Sequence, residues 1–138
     1  MSIQQRIRLA RCHKTPSNCF GTALYIAGII PRDIFIGRLW GDDLDYEKRI
    51  EGFEELPRPE LYALAIFRRG HTKYIDHLAI VTGVNPVLLT QRDILLEFDG
   101  EFVENEPLEE TIKRYSTNQM NESHGPITKI EYRRIQVK

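Results

Sequence analysis

From Leu61 onward the chain alternates short β-prone runs with turn formers, and that rhythm limits it to a sheet built largely from hairpins. The runs span residues 61–68, 76–82, 87–92 and 95–98. Arg69-Gly70-His71, Gly83-Val84-Asn85-Pro86 and Asp99-Gly100 divide them. The earlier part of the chain has a different period. Residues 19–29 read as an apolar helix, with Cys19, Ala23, Ile26, Ala27 and Ile30 on one stripe. Gly21, Leu24 and Gly28 form a neighbouring small-residue face, and Pro31 blocks continuation. Ser17 or Asn18 can cap its start, because a side-chain oxygen there satisfies an orphan N–H. Trp40-Gly41-Asp42-Asp43 reads as a turn into a charged helix over 44–54, and Pro57 and Pro59 then force an extended passage. A short helix is expected over 107–115 and a last strand over 127–137, with a polar loop between them. The first eleven residues fit either a strand or a few helical turns. Helices followed by a run of strands predict an α+β fold with an antiparallel sheet and no βαβ alternation.

With 138 residues the chain reads as one domain over 1–138, long enough to bury about two-thirds of its unfolded surface. A net charge of −1 with scattered basic residues gives no nucleic-acid footprint. Arg68-Arg69 and Arg133-Arg134 read as solvated strand ends. No segment has the length of a membrane span, and Gln4, Gln5, Arg6 and Arg8 interrupt any signal-like core. Two cysteines do not make a disulfide framework. Together these features point to a cytoplasmic protein with no membrane partner.

Cys19 sits where a nucleophile is expected, at the start of a helix and after a loop of turn formers. A free thiol has a pKa of about 8.5 and attacks a carbonyl poorly at neutral pH. The partial positive charge of a helix N-terminus and a nearby imidazole both favour the thiolate. Free N–H groups around Asn18, Cys19 and Phe20 can also receive the oxyanion of a tetrahedral intermediate. An unpaired cysteine on an apolar stripe is equally a normal core residue. His77 opens the run Leu78-Ala79-Ile80-Val81, apolar on both faces, which suits a central strand. Its imidazole then needs a polar partner or a cleft, and a satisfied core histidine is the plain alternative. A general base also needs a group to orient its second ring nitrogen. Gln91 and Asp93 share a face of the next run and are the candidates, with Glu97 and Asp99 behind them. Arg92 can instead pair Asp93 on the surface.

Asn18-Cys19-Phe20-Gly21 before an apolar helix resembles the Asp-Cys-Ser-Gly nucleophile motif of the NlpC-type cell-wall peptidases. Asp76-His77-Leu78-Ala79-Ile80-Val81-Thr82-Gly83 is similar to their His-Val-Gly-Ile-Tyr-Leu-Gly strand. The resemblance spans about residues 17–93 and implies a papain-like core in which a helix carrying the cysteine packs on an antiparallel sheet. Carried over, it makes Cys19 the nucleophile, His77 the base, and Gln91 or Asp93 the orienting residue. Phe20 stands where the motif has a small residue. The activity implied is hydrolysis of a peptide or amide bond through a thioester, with no cofactor and no metal. An inactive papain-like scaffold used as a binding or adaptor module is the alternative, and thiol acyl transfer is another.

Rival groupings are weaker. Cys12, His13, Cys19, His71, His77 and His124 lack the tight paired spacing of zinc ligands. Cys12 and Cys19 could form a redox pair. Glu101, Glu104, Glu106, Glu109 and Glu110 read as a solvent face, and Trp40 and Tyr25 as cleft or core residues.

Overall fold

A computed structural model describes residues 1–13, 16–36, 44–69, 75–93, 100–117 and 127–136. The order is α1 (Ile3–Arg11), α2 (Cys19–Ile26), α3 (Leu44–Glu51), β1 (Glu54–Leu56), β2 (Leu64–Arg69), β3 (Ile75–Val84), β4 (Val87–Arg92), β5 (Phe102–Pro107), α4 (Leu108–Thr117) and β6 (Ile127–Arg134). The strands form one antiparallel sheet in the order β1-β6-β2-β3-β4-β5. The α+β expectation with an antiparallel sheet therefore holds.

Each helix has a local cause. Ser2 and Gln5 form a reciprocal capping box at α1, with Ser2 N donating to Gln5 Oε1 (2.7 Å) and Gln5 N to Ser2 Oγ (3.1 Å). Ile3, Ile7 and Ala10 are its buried stripe, so the N-terminal segment is a helix. Asn18 caps α2 by accepting from Gly21 N (2.9 Å). The same side chain donates from Nδ2 to Ile36 O (2.6 Å) and accepts from Ile36 N (3.3 Å), which ties the segment after α2 back to its start. A Cβ on Gly21 would sit 1.6 Å from Ile34 O, so only glycine lets that segment cross α2 so closely. Helix α2 ends earlier than expected, at Ile26, because Gly28 takes a φ of 79° and reverses the chain. Pro31 lies beyond the stop.

The sheet has a core on each face. Alternation along β2 and β3 sends Leu64, Ile66, Leu78 and Ile80 to one side, under Cys19, Ala23, Leu24 and Ile26 of α2. Ala65, Phe67, Ala79 and Val81 face the other side with Leu89, covered by Leu108 and Ile112 of α4. Each fully buried side chain of this kind contributes about 1.5–3 kcal/mol relative to exposure.

Several expectations are corrected. The charged helix stops at Glu51, since Glu54–Leu56 pairs with β6 as β1. Phe102–Pro107 is a strand, β5, whereas its acidic residues had suggested only a solvent face. Arg69 is not a solvated strand end: it is buried against Asp76 (2.8 Å). Arg133 donates to Glu131 (2.7 Å) and to the carbonyls of Glu51 and Phe53, tying β6 to the α3–β1 turn. The strand expected over 95–98, the turn at Trp40-Gly41-Asp42-Asp43, and His71, Glu97, Asp99 and His124 lie outside the described residues. No helix among the described residues is long and apolar enough to cross a membrane.

Candidate active site

His77 and Gln91 meet because β3 and β4 are antiparallel and both residues fall on the α4 face. His77 pairs with Phe67 across β2–β3, and its ring lies edge-on to the Phe67 ring at 5.2 Å. Tyr115 of α4 covers the imidazole from the other side, ring centres 4.2 Å apart. Arg69 donates to the Tyr115 carbonyl (3.0 Å) and so holds that turn of α4 down on β2. The imidazole is thus enclosed, with 0% exposure.

The hydrogen bonds around Gln91 assign the tautomer. Its Nε2 donates to Thr111 Oγ1 (2.8 Å) and Glu106 Oε1 (3.1 Å), so its Oε1 is the atom facing the ring. That oxygen lies 2.6 Å from His77 Nε2 and can only accept. Nε2 therefore carries the proton and Nδ1 keeps a lone pair. Nδ1 is buried with no hydrogen-bond partner among the described residues. Burial pulls the imidazole pKa down to about 3; the Gln91 bond opposes this, and the charges of Arg114 and Arg69 add to it.

Behind Gln91 a polar chain continues. Thr111 Oγ1 donates to Glu106 Oε1 (2.5 Å), and Arg114 bonds Glu106 and reaches Asp93 Oδ1 (2.7 Å). Asp93 also accepts from Tyr115 OH (3.4 Å). Burial raises the Asp93 carboxyl pKa, partly offset by Arg114. Of the two orienting candidates, Gln91 bonds the imidazole while Asp93 is engaged by α4. Arg92 does not pair Asp93. It points to the opposite face, where it bonds Thr22 Oγ1 (2.8 Å), Ala10 O (3.0 Å), Gly100 O (3.1 Å) and Asp33 Oδ2 (3.3 Å). Asp33 in turn accepts from Ser17 and Thr22. This buried group braces the loop that leads into Cys19.

Cys19 opens α2 on that same face, in the cluster with Leu78 and Ile80. It is a free thiol with 0% exposure, while Cys12 is exposed. Burial pushes the thiol pKa well above its ordinary value. The backbone N–H groups of Leu78 and Phe20 bond the sulfur and counter that shift, while the carboxylates of Asp76 and Asp93 add to it. Cys19 and His77 thus flank the first residues of β3, the thiol against the amide of the residue after the histidine. No hydrogen bond joins them. Both groups are neutral in this arrangement.

Asn18 spends its side chain on capping and on Ile36, so it shapes the entry to Cys19 without offering a donor to a ligand. Phe20 is buried in the core, and its contribution near the thiol is the backbone N–H. Among the described residues, no group of three or more His, Cys, Asp or Glu is placed to hold a metal ion. Glu106, Thr111, Arg114 and Tyr115 were not singled out from sequence as parts of the site. One signal was present: Leu108, Thr111, Ile112 and Tyr115 fall at helical spacing, which sets a polar threonine on an apolar stripe. No protein-family model, curated protein or solved structure matches this sequence.

Proposed function

We propose that the protein is a papain-like, NlpC-type cysteine hydrolase of a peptide or amide bond. One observation carries this reading. Gln91 fixes the proton on His77 Nε2 and leaves a buried, unpaired lone pair on Nδ1, one residue from the backbone that holds the Cys19 thiol. In the reaction, Nδ1 takes the thiol proton as the sulfur attacks the carbonyl carbon. The imidazolium then protonates the leaving amine, and a thioester remains on Cys19. Water, deprotonated by the same nitrogen, releases the acid. Gln91 positions the ring throughout, and backbone N–H groups at the start of α2 receive the oxyanion. Because thiol and imidazole are both enclosed and lie on opposite faces of the sheet, turnover on this reading requires the start of β3 to rearrange so that Nδ1 meets the thiol, and the α2–β3 seam to open to substrate. The exposed Cys12 thiol and the free Cys19 fit a reducing, cytoplasmic setting.

That enclosure also favours a second reading, a binding module that keeps the scaffold without activity. Alkylation of Cys19 in a Cys12→Ser background separates the two. On the hydrolase reading iodoacetamide modifies Cys19 in the folded protein, with a rate that persists below pH 7 and drops about tenfold or more in His77→Gln. If Cys19 stays unmodified until the protein unfolds, or reacts as an ordinary thiol regardless of His77, the scaffold reading stands. An acylated Cys19 that passes its acyl group to an added amine in preference to water identifies a transferase.

A further inference from the structure

At the far end of α2, on the order of 12 Å from Cys19 by helical rise, the described residues line a half-open cavity of about 350 Å³. Its walls include Arg6, Gly28, Ile29, Arg49, Phe53 and Gln136, and among the described residues no acidic side chain lines it. Neither arginine forms an ion pair with a carboxylate among the described residues. Seven other arginines, Arg11, Arg68, Arg69, Arg92, Arg114, Arg133 and Arg134, each pair with a carboxylate.

Arg6 is the more telling of the two. Its Nη1 is buried and has no hydrogen-bond partner among the described residues. An unpaired buried donor is destabilising, the more so when charged. Capping of α2 does not explain it: three of the last four carbonyls of that helix are already bonded, and no bond from Arg6 reaches the fourth, that of Ile26. Ala27 N bonds Ala23 O (2.9 Å), Gly28 N bonds Tyr25 O (3.0 Å) and Ile29 N bonds Leu24 O (2.9 Å). Gly28 instead makes room for the guanidinium: a Cβ there would lie 2.9 Å from Arg6 Nη1. Across the cavity Arg49 is anchored through one nitrogen, Nη1 to Ile29 O (2.9 Å). Its remaining donors are left to the cavity and solvent.

We propose that this cavity binds a small organic oxyanion, its phosphate or carboxylate held between Arg6 and Arg49 and its apolar part against Phe53 and Ile29. Guanidinium groups suit this task because their donors form a planar fork that matches such oxygens. The volume is at the small end of ligand pockets, which suits a metabolite-sized molecule. The proposal stands apart from the chemistry at Cys19 and does not depend on it.

Phenyl phosphate is the test probe, titrated by calorimetry and by amide chemical shifts into the full chain. Inorganic phosphate, benzoate and benzyl alcohol serve as comparisons. Phenyl phosphate is expected to bind with a Kd of about 1 mM or tighter, with Phe53 and Gly28 amides shifted. Inorganic phosphate binds more weakly for want of the apolar contact, and uncharged benzyl alcohol does not bind. Benzoate binding as well as phenyl phosphate assigns a carboxylate ligand; phosphate preference assigns a phosphate ester. Arg6→Met and Arg49→Gln each weaken binding about tenfold or more. The unliganded Arg6→Met protein melts at or above the wild-type temperature, because a buried unpaired donor has been removed. No binding at about 10 mM probe overturns the proposal. So does binding that both variants retain, or a lowered melting temperature in Arg6→Met with unchanged binding in Arg49→Gln, since Arg6 is then a structural residue.

Discussion

The enclosure of His77 has a consequence for acid stability that can be worked out from its surroundings. The imidazole is fully buried, stacked on Tyr115 and bonded through Nε2–H to Gln91, and its pKa falls from 6.5 to about 3. The unfolded chain therefore binds a proton at this residue over a pH range in which the native protein does not. Stability is complete well above pH 6.5 and declines as acid is added, levelling off only below the folded value. Between pH 7 and about pH 5 the two titrations differ by roughly 1.4 pH units of linked protonation, or about 2 kcal/mol. Urea unfolding at both pH values, in the wild type and in His77→Gln, isolates this contribution. Glutamine keeps a donor for Gln91 and does not titrate, while every other ionisable group is common to both proteins. The wild type is expected to lose about 2 kcal/mol more than the variant across that interval. Equal losses would refute the reasoning. A smaller loss in the wild type would go further, because it would mean that folding raises the affinity of His77 for a proton, as in an ion pair with a Cys19 thiolate.

Three further outcomes follow from the packing. Gly21→Ala places a methyl group 1.6 Å from Ile34 O and should cost about 3 kcal/mol or more, read as a lowered melting temperature or loss of folded protein. Arg92→Met strands the Asp33 carboxylate in the core and should destabilise by about 3–5 kcal/mol, with Arg92→Met/Asp33→Leu recovering much of it in denaturant titrations. Thr111→Val removes one of the two acceptors that orient the Gln91 amide. It should cost about 1–2 kcal/mol and let nitrogen-15 shifts of His77 report a mixture of tautomers in place of Nε2–H alone.

How far the sequence could be read depended on where the information sits. Helix α2, β3 and β4 were legible because Asn18, the two-faced apolar run after His77 and the turn at Gly83-Val84-Asn85-Pro86 are local signals. Strands β1 and β5 were not. Glu54-Glu55-Leu56 and Phe102-Val103-Glu104-Asn105-Glu106-Pro107 carry the charge typical of sheet edges, and only their pairing with β6 and β4 makes them strands. The choice between Gln91 and Asp93 was likewise beyond local reading. Strand β4 ends at Arg92, and Arg114 arrives from α4 to claim Asp93. Glu106 looked like one acid among several. Asn105 adopts a φ of 56°, a break in the ladder that accompanies the turning of Glu104 toward Arg11 and Glu106 toward Gln91. No pattern of residue types encodes that turn without the neighbouring strand.

The position of β6 governs how the chain can be made. It lies between β1 and β2, yet it follows them by about sixty residues or more of synthesis. Until Ile127–Arg134 leaves the ribosome, β1 has no partner strand and β2 presents one bare edge bearing Leu64, Ala65, Ile66 and Phe67. The hairpins from β2 to β5 can assemble early, but the nascent sheet then carries an apolar, unpaired border of the sort that recruits other chains. Completion is a late, long-range event, so yield in a cell should depend on chaperones that shield that border more than on the final stability of the fold.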